Sequence, residues 1–178
     1  MKKLALALLF CGAAAFAAPV TYTTTGSFLS NGLTSITVNG ATVSYTGVTV
    51  ADTVTAPSYA NVGEFTISGN ASATFSDTFT LVISQTVPST GTGVTSSSIS
   101  GTVSGSSSGI SLSFAPSTFP IGSATWTMSP TPLAPPSTNG GVTTLEAYVT
   151  TTPEPASVGL LGASLLGLGL AFRRRAVK

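Results

Sequence analysis

The sequence has no histidine, and 6% of its 178 residues are charged, against about a quarter in an ordinary globular chain. Its six basic residues, Lys2, Lys3, Arg173, Arg174, Arg175 and Lys178, all lie close to a terminus. Between Pro19 and Thr152 the charges are Asp52, Glu64, Asp77 and Glu146, four acids and no base, a formal charge of −4. A surface without cations cannot neutralise phosphates, which rules against nucleic acid as a partner. The central segment also lacks the general base, activated nucleophile and charge clamp on which most mechanisms depend. The single cysteine, Cys11, sits in the apolar N-terminal run. Once that run is removed, disulfides, thiol nucleophiles and thiolate metal sites are excluded together.

Carboxylate chemistry is what remains. A glycoside hydrolase needs two carboxyl groups held about 5–10 Å apart. Asp52, Glu64, Asp77 and Glu146 lie in no recognisable signature, and no cation is present to orient them. The expectation is therefore a protein that is not an enzyme, with a carboxylate-dependent glycoside hydrolase as the least favoured reading. Asp77 shares the parity of Phe75 and Phe79, where a lone carboxylate would be costly. Either a bulge turns it outward, or it joins Asp52 or Glu64 in a calcium site. The expected cofactor is none, with Asp52, Glu64 and Asp77 as weak candidates for Ca2+. Five aromatic residues, Tyr22, Tyr45, Tyr59, Trp126 and Tyr148, would stack on sugars if exposed, although the parity of Trp126 assigns it to the core. Asn70-Ala71-Ser72 fits a glycosylation acceptor pattern, and the Ser- and Thr-rich composition suits an O-glycan carrier.

The positions of the charges draw attention to the two ends. "MKKLALALLFCGAAAFAAPV" has a basic start, an apolar core from Leu4 to Phe10, and small residues at Ala15 and Ala17. That is a signal peptide over residues 1–17, cut after Ala17 by signal peptidase. A lipoprotein signal built on Cys11 is disfavoured by the bulk of Phe10. At the other end no charge interrupts Pro155 to Phe172. As a helix these 18 residues reach about 27 Å, close to the thickness of a thin bilayer core. Gly159, Gly162, Gly167 and Gly169 are tolerated in membrane spans, and Arg173, Arg174 and Arg175 then mark the cytoplasmic side. A soluble amphipathic helix would not be apolar around its whole circumference.

Read together, "PEPAS" followed by "GLLGASLLGLGLAFRRR" resembles the PEP-CTERM protein-sorting signal of bacteria, with the motif Pro153-Glu154-Pro155, the span and the arginine cluster in order. The resemblance implies recognition by an exosortase, a membrane cysteine protease thought to cleave near the motif and pass the body to the cell surface or matrix. It also implies a link to exopolysaccharide and biofilm. The physical chemistry is compatible: prolines at 153 and 155 keep the segment extended and outside the following helix. An ordinary proline stop before a membrane helix is the alternative. The signal says nothing about the body to which it is attached.

The body alternates with a period of two. In "ASATFSDTFTLVIS" Ala73, Phe75, Phe79, Leu81 and Ile83 share one face and hydroxyl residues the other. "GEFTISGN" places Phe65 and Ile67 together, with a hairpin turn expected at Gly69-Asn70. "GISLSFAP" reads as one strand carrying Ile110, Leu112 and Phe114; "ATWTMSP" as one carrying Ala124, Trp126 and Met128; "TLEAYVT" as one carrying Leu145, Ala147 and Val149. Ile99 and Val103 form a further pair. In "ATVSYTGVTV" the parity changes at Gly47, which predicts a bulge that re-phases the strand. The Pro-rich stretch 129–141 is a surface loop. About nine strands with no helical period argue for an all-β fold, an antiparallel β-sandwich of which the jelly roll is one form. The expected organisation is a signal helix over 1–17, a sandwich over 18–152 and a sorting signal with a transmembrane helix over 153–178. The expected function is an exported surface or matrix protein with a structural or adhesive role, processed by signal peptidase and exosortase through an inner-membrane intermediate. The alternative is a lectin-like module that binds exopolysaccharide.

Overall fold

The computed structural model describes residues 18–152 together with Gly162 and residues 164–166. Its compact unit is Ala18–Thr151. The compact unit is all-β, and every strand pairing in it is antiparallel. Sheet A runs in the order β10 (Phe114–Ala115), β7 (Gly91–Ser104), β6 (Ala73–Val87), β1 (Ala18–Phe28) and β4 (Asp52–Ala56), with β8 (Ser107–Ser108) also on β7. Sheet B runs β11 (Thr118–Ile121), β12 (Ala124–Met128), β14 (Val142–Thr151), β5 (Ser58–Ser68), β3 (Ala41–Thr46) and β2 (Ser35–Val38). A two-stranded patch pairs β9 (Ser111–Leu112) with β13 (Thr131–Pro132).

The two sheets pack face to face, as the rings between them show. Tyr22 of β1 meets Trp126 of β12 edge-on at 5.0 Å between centroids. Phe79 of β6 touches both Tyr45 of β3 and Phe65 of β5 at 4.8 Å. Gly26 of β1 lies at this crossing, where a Cβ would fall 2.2 Å from Phe79 Cζ and 2.9 Å from Tyr45 Cε1. The predicted inward residues Ala73, Phe75, Phe79, Leu81, Ile83, Ile99, Val103, Ile110, Leu112, Phe114, Ala124, Trp126, Met128, Leu145, Ala147 and Val149 are all buried in one cluster. The outward faces are joined by hydroxyls in place of ion pairs. Thr21 and Thr53 lie 2.9 Å apart, Thr37 and Thr42 2.8 Å, Thr74 and Thr102 3.1 Å, and Thr80 and Ser96 3.2 Å. Each such cross-strand pair stabilises a sheet by about 0.2–1 kcal/mol, which lets a chain so poor in charge hold its strands together.

Four expectations need correction. Gly69-Asn70 is not a hairpin turn, because β5 belongs to sheet B and β6 to sheet A, and the chain crosses between sheets there. Gly47 does not re-phase a strand. β3 ends at Thr46, and Gly47 passes so close to β1 that a Cβ would lie 2.3 Å from the Thr24 carbonyl oxygen. Val48 then bonds across to Thr24, and Val50 is 82% exposed. "GISLSFAP" is two short strands on different partners, because the Ser97 hydroxyl accepts from the Ser113 N–H at 2.9 Å and interrupts the ladder between them. Finally, the sandwich is not the eight-stranded jelly roll: its fourteen strand segments form two six-stranded sheets and a two-stranded patch, with the orders given above. The stretch 129–141 is largely a loop before β14, but β13 ties it to β9 and Leu133 is buried.

Candidate functional site

The four carboxylates do not gather at one point: Glu64 and Glu146 are diagonal neighbours on β5 and β14 of sheet B, whereas Asp52 and Asp77 stand on β4 and β6 of sheet A. Asp52 is exposed on β4, where it accepts from the Thr53 N–H at 2.8 Å and from the Tyr22 hydroxyl at 3.2 Å. Asp77 keeps its inward parity, because β6 and β7 pair without interruption from Ala73 to Gln85. The predicted bulge is absent. Its carboxylate is instead capped just beyond the end of β1: it accepts from the Ser30 hydroxyl at 2.6 Å, the Ser30 N–H at 3.2 Å and the Thr78 N–H at 2.7 Å. Glu64 and Glu146 are exposed on β5 and β14, in sheet B. Asp52, Glu64 and Asp77 thus lie on three different strands, and among the described residues no group of three or more His, Cys, Asp or Glu could hold a metal ion.

The aromatic candidates divide sharply. Trp126 is fully buried, and its Nε1–H donates to Gln85 Oε1 at 3.0 Å. Gln85 Nε2 in turn donates to the carbonyls of Ser89 and Ile121 at 3.0 and 3.1 Å, so one buried amide joins β6 to the β11–β12 hairpin. Its odd parity on the apolar side of β6 was the available signal for this role. Tyr22 donates to the Asn61 carbonyl at 2.7 Å. Burial, followed by the nearby Asp52 carboxylate, pushes its phenol well above the usual range. Tyr45 donates to the Val62 carbonyl beside Thr24 Oγ1, and burial raises its phenol to about 12. None of these three is a sugar platform.

Tyr59 and Tyr148 differ in every respect. They are paired across β5 and β14 on the outer face of sheet B, 61% and 37% exposed, with ring centroids 5.2 Å apart and planes inclined at 55°. One row continues sideways from Tyr148 to Thr127 and Thr118. The next pairs along the strands are Glu146 with Asn61 and Thr144 with Glu64. Asn61 Oδ1 accepts from the Gly63 N–H at 2.8 Å, and its NH2 group has no protein partner among the described residues. A bulge between Leu145 and Glu146 sets this register.

The predicted processing residues Ala15, Ala17, Pro153, Glu154, Pro155, Arg173, Arg174 and Arg175 lie outside the described residues. So does most of the expected membrane span, of which Gly162 and residues 164–166 are helical. No helix among the described residues is long and apolar enough to cross a membrane. A family model of the PEP-CTERM protein-sorting motif matches residues 151–175, beginning at the last residue of β14. The chain carries this sorting motif. The PEP-CTERM motif implies an exported protein that is processed by an exosortase and sent through the membrane to the cell surface. No curated protein and no solved structure matches the chain.

Proposed function

We propose that this protein is a component of the cell surface or extracellular matrix, in which a β-sandwich with a structural or adhesive role is delivered by a PEP-CTERM signal. The observation that carries this reading is the sorting motif at residues 151–175, joined without a linker to the last strand of a folded all-β body. A non-enzymatic, cofactor-free role is supported by the setting of each acid. Asp52 and Asp77 serve as hydrogen-bond acceptors for neighbouring residues, and Glu64 and Glu146 stand on an exposed sheet face. A role in exopolysaccharide or biofilm is part of this proposal, supported by the resemblance of the terminal signal to its family.

In this scheme signal peptidase cuts after Ala17, which leaves β1 whole from Ala18 onward. The C-terminal helix holds an inner-membrane intermediate until the exosortase acts near Pro153-Glu154-Pro155. Mass spectrometry of the exported protein tests both steps. The expected product begins at Ala18 and lacks Arg173, Arg174 and Arg175. An exported chain that still ends beyond Arg175 would refute processing at the motif.

A further inference from the structure

The Tyr59–Tyr148 pair has no role in the sandwich that burial would explain. The other aromatic residues of the body are buried, and where these carry a phenol or an indole N–H it is hydrogen-bonded within the protein. Tyr59 and Tyr148 instead present ring surface to solvent on a face otherwise made of Thr, Ser, Asn and Glu. A cross-strand aromatic pair adds about 0.2–1 kcal/mol to a sheet, and the hydroxyl pairs elsewhere achieve as much without exposing apolar surface.

We infer that this pair is the centre of a binding site for uncharged polysaccharide, a ligand class that gives the adhesive role proposed above a specific surface. The face of a tyrosine ring suits the apolar C–H face of a pyranose, and its hydroxyl suits the wet rim. Asn61 supplies two free N–H donors beside the rings. Glu146 and Glu64 supply acceptors for sugar hydroxyls, and Thr144 and Thr127 can do either. Charge decides among polymers. The segment between Pro19 and Thr152 holds four acids and no base, and two of those acids share the sheet face with the tyrosines, Glu146 in the next row and Glu64 in the row beyond. Uronate- or phosphate-bearing chains would be repelled with nothing to clamp them. A neutral hexose polymer meets no such penalty.

Affinity electrophoresis of the exported protein through gels containing a soluble β-glucan, α-glucan, mannan, galactan or alginate tests this directly. At least one neutral polymer should retard the protein, alginate should not, and the retardation should persist in raised salt. Tyr59→Thr and Tyr148→Thr should each weaken binding roughly tenfold, and Tyr59→Phe should retain it. The single tryptophan, Trp126, is buried in the inner face, so an unchanged emission spectrum shows that each variant is folded. Failure of every neutral polymer to bind, retention by alginate alone, or binding indifferent to both tyrosines would overturn the proposal. So would self-association of the unaltered protein that the threonine variants abolish, which would make a second copy the occupant. Each of these results is independent of whether the termini are processed, so loss of this site leaves the sorting assignment standing.

Discussion

Sheet B carries aromatic side chains on both faces, and the two sets meet opposite conditions. On the inner face Trp126 and Tyr45 are almost wholly buried, and the polar atom of each is matched to Gln85 or to Val62 and Thr24. On the outer face Tyr59 and Tyr148 touch each other, and their hydroxyls have no protein partner among the described residues. A buried indole N–H or phenol must find a partner because water is absent. An exposed one is free to meet whatever arrives. The inner set therefore belongs to stability, and the outer set is available for recognition.

Substitutions can break or sharpen that contrast. The largest effect is expected for Trp126→Ala, which empties a fully buried site and strands the Gln85 amide carbonyl. Chemical denaturation should show a loss of about 3–5 kcal/mol. Alkali should come next. Tyr45 is held in its neutral form, with its phenol raised from 10.0 to about 12. The folded chain thus keeps a proton that the unfolded chain releases. The associated stability is fully present below pH 10 and is lost as pH rises toward 12, by roughly 2–3 kcal/mol. Denaturation curves across that range should fall less steeply for Tyr45→Phe than for the unaltered protein. Tyr59→Thr should matter least to the fold. Threonine is a good strand former, so a change of about 1 kcal/mol or less is expected, measured by the same denaturation. A loss as large as that of Trp126→Ala would show the outer pair to be structural and erase the distinction.

The period-two pattern was a dependable guide to what the core contains. From Ala73 to Ile83, and again at Ala124, Trp126 and Met128, alternation alone placed the right residues inside, because in a strand successive side chains must point to opposite faces. It did not reveal which strands are neighbours. Gly69-Asn70 looks the same in sequence whether the chain folds back beside itself or crosses to the other sheet, since both need a sharp change of direction. Asp77 looked costly on an inward face. Its solution, Ser30 in the turn after β1, is 47 residues away in sequence and leaves no local trace. The outer tyrosine pair was legible only as two of five aromatic candidates. Parity places Trp126 inside, but the burial of Tyr22 and Tyr45 arises only where the two sheets close over them.

What the sequence determined by itself is therefore the address, the class of fold and the exclusions. The terminal motif is a contiguous string that a processing enzyme reads locally, alternation is a local property of extended backbone, and an absent residue type is absent in any conformation. Tertiary structure alone decided which aromatics are hidden, which carboxylates are capped, and which side chains stand together on β5 and β14. Those outcomes depend on pairings between residues far apart in the chain. They are set when two sheets close on each other and water is expelled from one face of each.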